Sequence, residues 1–135
     1  MCPLPENGDC RKTAVVYKAQ VTSNNTTKVY IGSAETEIKL RLANHKHSFS
    51  QSRLRNSTRL SAYIHTLKDN NDPFEVKWSI EDKATPYVCG SRRCNLCLTE
   101  KYRILQSDPK SLLNARTEIA GKCRHNFKFK LRNVR

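Results

Sequence analysis

Four apolar residues, Phe74, Val76, Trp78 and Ile80, alternate with Glu75, Lys77, Ser79 and Glu81. A strict period of two places all four on one side of an extended chain. Residues 74–81 therefore read as a strand with one buried face and one wet face. Two further strands are predicted near the start of the chain. Residues 14–21, Ala-Val-Val-Tyr-Lys-Ala-Gln-Val, and 27–32, Thr-Lys-Val-Tyr-Ile-Gly, are rich in β-branched and aromatic side chains, the types that fit a pleated surface. The link Thr22-Ser23-Asn24-Asn25-Thr26 has turn chemistry, which predicts an antiparallel hairpin.

Elsewhere the period becomes helical. Gly32 is read as ending its strand and Ser33 as capping a helix. From Glu35 to Lys46 the apolar Ile38 and Leu42 stand four apart. Arg41 and His45 do the same and so share one face. Residues 47–57 read as a polar loop. Ser57 then caps a second helix through Leu60, Ile64 and Leu67, stopped by Asp69-Asn70-Asn71-Asp72-Pro73, a strong breaker cluster. Residues 95–106 return to helical spacing through Leu96, Leu98, Ile104 and Leu105, and Ser111 to Ala120 fits another short helix. The fold class is α+β, a small three-stranded antiparallel sheet flanked by helices. It divides into a Cys-containing lead-in (1–13), a domain (14–120) and a basic C-terminal segment (121–135).

Composition matters for what such a sheet can bury. Leu, Ile, Val and Phe supply 29 of 135 residues, close to the roughly one-fifth below which charged chains are usually disordered. The core is lean, so extra staples would help it. Lys plus Arg is 25 against 12 Asp plus Glu, a formal charge of +13. That surface attracts polyanions, and nucleic acid is the one that returns free energy through counterion release. Arg53, Arg55 and Arg59 read as a strip that tracks DNA, and Lys18 and Lys39 as phosphate contacts. No apolar run approaches the roughly 18 residues of a membrane span. Met1 to Glu6 is not an apolar leader. Cys94-x-x-Cys97 has the spacing of a zinc claw, which argues against a secreted disulfide scaffold and for a reducing compartment.

Glu100 lies one turn from both Leu96 and Ile104, inside an apolar stripe. A carboxylate there is desolvated unless it is paired or bound to a cation. Tyr17 and Tyr30, near the centres of the two hairpin strands, are taken as ordinary strand residues until their company is considered.

That company resembles the GIY-YIG nuclease superfamily. Its two strand motifs stand here as Val15-Val16-Tyr17 and Tyr30-Ile31-Gly32. Its helical Arg, followed one turn later by His, matches Arg41 and His45. Its metal-binding Glu matches Glu100 in Leu98-Thr99-Glu100-Lys101, and its later Asn matches Asn114. The first motif keeps its tyrosine but has Val in place of Gly. The cysteines beside Glu100, with Cys123-Arg124-His125 further on, resemble nuclease domains encoded by eukaryotic mobile elements of the Penelope-like retroelement type.

The resemblance implies a DNA endonuclease that depends on a divalent metal, nicks DNA for a mobile element and acts in the nucleus. It leaves open both membership of a larger mobile-element protein and assembly on DNA as an oligomer. Glu100 would hold Mg²⁺ or Mn²⁺, and Arg41 would neutralise the phosphorane-like transition state. Tyr17 or Tyr30 would orient or deprotonate the attacking water, although a phenol is a poor base at neutral pH without help. His45 would relay a proton or position the water, with His47 a second candidate, and Asn114 would bond a phosphate oxygen or a tyrosine. Structural Zn²⁺ would sit on Cys2, Cys10, Cys94 and Cys97. Cys123 and His125 with one Cys pair are the alternative ligands, and free thiols the third reading. Cys89 is read as a plain thiol and His65 as a residue at the core edge or surface. The rival to the nuclease is a zinc-stapled basic module that binds nucleic acid without catalysis.

Overall fold

The computed structural model describes residues 10–84 and 94–114. Its first strand, β1 (Val15–Ser23), pairs antiparallel with β2 (Thr26–Ala34) on one side and with β3 (Glu75–Lys83) on the other, in the order β2-β1-β3. Helices α1 (Ile38–Ser50) and α2 (Arg59–Asp69) lie between β2 and β3 in the chain, and α3 (Asn95–Gln106) follows β3. The predicted α+β class and three-stranded antiparallel sheet are what forms. The lead-in residues 1–9, residues 85–93 with Cys89, and residues 115–135 with Cys123 and His125 lie outside the described residues. No helix among the described residues is long and apolar enough to cross a membrane.

The hairpin turns through Asn24 and Asn25, at φ 48° and 66°. Two consecutive left-handed residues make the tight turn whose twist matches paired strands, and Asn tolerates that region well. The strands run longer than predicted. Gly32 does not end β2 but sits inside it, opposite Tyr17. Ser33 is a strand residue, not a cap. Helix α1 begins later, after Glu37, without a side-chain cap.

Alternation along the strands divides the core between the two faces. Val15, Tyr17, Ala19 and Val21 of β1, Tyr30 of β2 and Trp78 of β3 pack with Ile38, Leu42, Leu60, Ile64 and Leu67 of α1 and α2. Val16 and Ile31, on the opposite face, pack with Leu96 and Ile104 of α3. Two modest cores, one on each side, make good use of few apolar residues, and each covered face removes apolar area from water at about 25 cal/mol per Å².

Helix α1 extends through Ser50, beyond the predicted boundary near Lys46, and a 3₁₀ turn at Ser52–Leu54 replaces part of the predicted loop. Burial accounts for the extension. Phe49 stacks on Trp78 at 6.5 Å between ring centroids, and Ser48 is buried. His65 of α2, itself buried, bonds the Ser48 carbonyl at 2.7 Å and so ties the two helices together. The α2 cap is Thr58, one residue after the predicted Ser57, and its hydroxyl accepts from the Ser61 amide at 3.0 Å.

Helix α3 keeps its predicted bounds, but only part of its apolar stripe is core. Leu96 and Ile104 are buried, whereas Leu98 and Leu105 are exposed. The helix predicted from Ser111 does not begin there. Instead Leu112 bridges Val29 in parallel. The Val29 amide donates to Ser111 O and the Leu113 amide to Val29 O, both at 2.7 Å. The segment thus covers the open edge of β2, which would otherwise present unpaired backbone groups.

Candidate active site

Cross-strand pairing sets the site. Tyr17 is the register partner of Gly32, and Ala19 that of Tyr30, so both phenols rise from the face covered by α1. Arg41 and His45, one turn apart on α1, come down onto them. The Tyr17 hydroxyl contacts His45 Nε2 at 2.6 Å, and Arg41 Nε donates to the same oxygen at 3.2 Å. The His45 ring meets Tyr17 and Tyr30 edge-on, at 5.7 and 5.8 Å between centroids.

Burial first and the Arg41 charge second push the His45 pKa down to about 3, so its ring is neutral. A neutral ring bonds the phenol through Nε2 as acceptor or as donor, according to its tautomer, whereas Arg41 only donates. Burial also works to lower the Arg41 pKa, but the fields of Tyr17, Tyr30 and Glu100 and the bond to Tyr17 outweigh it, and the guanidinium is held above its ordinary value. Glu100, half-buried on α3, therefore reaches Arg41 electrostatically although its helix packs on the other face of the sheet.

A cleft of about 470 Å³ opens beside this cluster, lined by Tyr30, Arg41, Asn44, His45, His47, Ser48, Leu54, Ser57 and Thr58. His47 thus reaches the cleft rim, where it is exposed. Arg53 and Arg59 are exposed nearby in the chain, as is Lys39 on α1. Two of the other predicted phosphate contacts are engaged within the protein. Arg55 pairs with Asp69 and bonds Thr66 Oγ1 at 3.3 Å, and Lys18 pairs with Glu81 at 3.4 Å.

Asn114 acts on the backbone. Its Oδ1 accepts from the Ile31 amide at 2.8 Å and its Nδ2 donates to the Ile31 carbonyl at 2.7 Å. The amide continues the ladder begun by Leu112 and fixes the two peptide units between Tyr30 and Gly32. A primary amide is the side-chain copy of a peptide group, which is why Asn114 can make this clasp.

Gly32 is the functional position that sequence reasoning misassigned. A Cβ there would stand 2.4 Å from Tyr17 Oη and 2.5 Å from Cζ. The Tyr17 ring crosses the Gly32 backbone to reach Arg41 and His45, and any side chain at 32 would block it. The sequence signal was present in Tyr30-Ile31-Gly32, but its reason is visible only once β1 and β2 are paired.

Metals can be considered from the donors. A hydrated Mg²⁺ or Mn²⁺ asks for one or two carboxylates and completes its shell with water and substrate phosphate. Glu100, whose field reaches the cleft arginine, would supply one such carboxylate, although it is not among the residues lining the cleft. Among the described residues no three His, Cys, Asp or Glu side chains cluster into a ready cage. Of the zinc candidates, Cys94 caps α3, its Sγ accepting from the Cys97 amide at 3.4 Å. Cys10 is disulfide-bonded. It offers a thiolate only when reduced. Cys2, Cys123 and His125 lie outside the described residues.

No protein-family model, curated protein or solved structure matches the chain.

Proposed function

We propose that the chain is a divalent-metal-dependent DNA endonuclease that hydrolyses phosphodiester bonds. The observation that carries this reading is the gathering of Tyr30, Arg41 and His45 at one cleft, with Tyr17 bonded to the last two behind it and the Glu100 field reaching Arg41. The charge of +13 supplies the attraction to a polyanion. The order of these residues along the chain resembles that of the GIY-YIG superfamily.

In this reading the scissile phosphate enters the cleft and Arg41 binds its oxygens. Arg41 has its Nε turned inward to Tyr17, so the Nη groups carry the contact and stabilise charge that builds on the phosphorus in the transition state. A phenol of the tyrosine pair orients the attacking water. His45 bonds the Tyr17 hydroxyl and, being neutral, does not add a second positive charge. Mg²⁺ or Mn²⁺ held by Glu100 would supply polarisation of the phosphate and stabilisation of the leaving oxygen. Nuclear action within a mobile-element protein belongs to the same proposal, as does structural zinc.

The test measures duplex binding and metal-dependent cleavage side by side for wild type and Arg41→Ala. The reading expects the variant to lose rate far more than affinity. Equal losses would make Arg41 a plain phosphate contact, and binding without any cleavage by the wild type would favour the non-catalytic module.

A further inference from the structure

The two tyrosines occupy different positions in the site, and their environments separate their roles. Tyr17 is wholly buried and is not among the residues lining the cleft, whereas Tyr30, although only 5% exposed, forms part of its wall. The Tyr17 oxygen is engaged from two sides, by Arg41 Nε at 3.2 Å and His45 Nε2 at 2.6 Å. A third arrival, such as the water that attacks a phosphate, would have to enter between Arg41, His45 and the Gly32 backbone, where even a methyl carbon would come within 2.4 Å of the hydroxyl.

From this geometry, and resting on the nuclease reading above, we infer that Tyr30 is the phenol that touches substrate and Tyr17 is a positioning residue acting through Arg41. The chain His45–Tyr17–Arg41 is an orienting device. His45 bonds the Tyr17 hydroxyl and fixes its position, and the phenol oxygen accepts from Arg41 Nε. Tyr17 then holds Arg41 Nε, which fixes the plane of the guanidinium and leaves the terminal fork at the cleft wall. A planar fork is useful to phosphate only when its orientation is set in advance. Tyr30 receives its own orientation from β2. Asn114 clasps Ile31, the next residue, and the Tyr30 ring is held edge-on to His45 at 5.8 Å.

The inference predicts different couplings to Arg41. Tyr17→Phe alone should slow cleavage about 10- to 100-fold, the cost of a misaligned contact group. In an Arg41→Ala background it should cost less than about threefold more, because its route of action is gone. Tyr30→Phe should slow cleavage by about 100-fold or more in both backgrounds. Circular dichroism and thermal unfolding of each variant exclude loss of fold as the cause. Full Tyr17→Phe losses on top of Arg41→Ala, or a Tyr30→Phe loss that vanishes there, would overturn the division of roles.

A second readout does not depend on turnover. With chelator present, a short oligonucleotide titrated into the ¹³C-tyrosine-labelled chain should shift the Tyr30 ring signals and leave those of Tyr17 in place. The Arg41 Nε–H signal should be slow to exchange in wild type and Tyr30→Phe, and fast in Tyr17→Phe. A shifted Tyr17 ring with an unmoved Tyr30 ring would sink the inference. Binding without cleavage would sink only the nuclease reading, and these signals would still decide the positions of the two phenols.

Discussion

Replacing Gly32 with alanine adds one methyl group to the middle of β2. In an open strand that change is mildly favourable, by about 0.5–1 kcal/mol, because glycine loses more backbone freedom on folding. Here the new carbon would stand 2.4, 2.5 and 3.0 Å from Tyr17 Oη, Cζ and Cε1. The ring cannot swing aside cheaply. It is wholly buried, tilted against Trp78 at 6.0 Å and bonded to Arg41 and His45. Overpacking a core of this kind costs about 1–3 kcal/mol. Each of the two bonds lost as the ring moves costs about 1 kcal/mol more. Less the backbone gain of about 0.5–1 kcal/mol, the expected destabilisation is about 2–4.5 kcal/mol, a large share of a domain's usual stability. Urea unfolding of Gly32→Ala and wild type measures it. Tyr17→Leu supplies the decisive background, since leucine lacks all three clashing atoms. In that background Gly32→Ala should be neutral or slightly stabilising. A Gly32→Ala chain as stable as wild type, or an equal destabilisation when Tyr17→Leu is already present, would refute the account of the Tyr17–Gly32 crossing.

Two further predictions concern the residues on either side of that crossing. The His45 pKa falls from 6.5 to about 3 on folding, so between those values the unfolded chain binds the extra proton. Its contribution to stability is complete above pH 6.5 and is lost as pH falls toward 3, by about 1.4 kcal/mol per pH unit and on the order of 5 kcal/mol in all. Unfolding measured from pH 4 to 7 should show that slope in wild type and a shallower one in His45→Gln. For Asn114→Ala, the Ile31 amide loses its acceptor on the edge strand, so its hydrogen exchange should accelerate and stability fall by about 1–3 kcal/mol. An unchanged Ile31 exchange rate would mean that the clasp does not hold β2.

Patterns local to one element were legible in the sequence. The alternation through Trp78 marks β3, the Leu60, Ile64 and Leu67 spacing marks α2, and Asn95 to Gln106 is helical as predicted. Residues whose role depends on a distant neighbour were not. Ser33 is equally at home as a cap or in a strand, and only its pairing with Val16 decides. Phe49 extends α1 because Trp78, far along the chain, offers a ring to stack on. Asn114 finds its partner 83 residues away. Leu98, Tyr102 and Leu105 repeat at helical spacing as core residues do, yet all three are exposed, since α3 buries Leu96 and Ile104 against the sheet instead. The sharing of one α1 face by Arg41 and His45 was readable from their spacing. The bond network that joins them to Tyr17 required the paired strands.

The central claim is that this cleft hydrolyses phosphodiesters with a metal held by Glu100. Supercoiled plasmid incubated with wild type and Glu100→Ala, in Mg²⁺, in Mn²⁺ and with chelator, tests it most directly. The account predicts metal-dependent conversion to open-circle or linear DNA by wild type, none with chelator, and none by the variant although it still binds DNA. Cleavage that survives in Glu100→Ala, or plasmid that both proteins bind and neither converts, would contradict it.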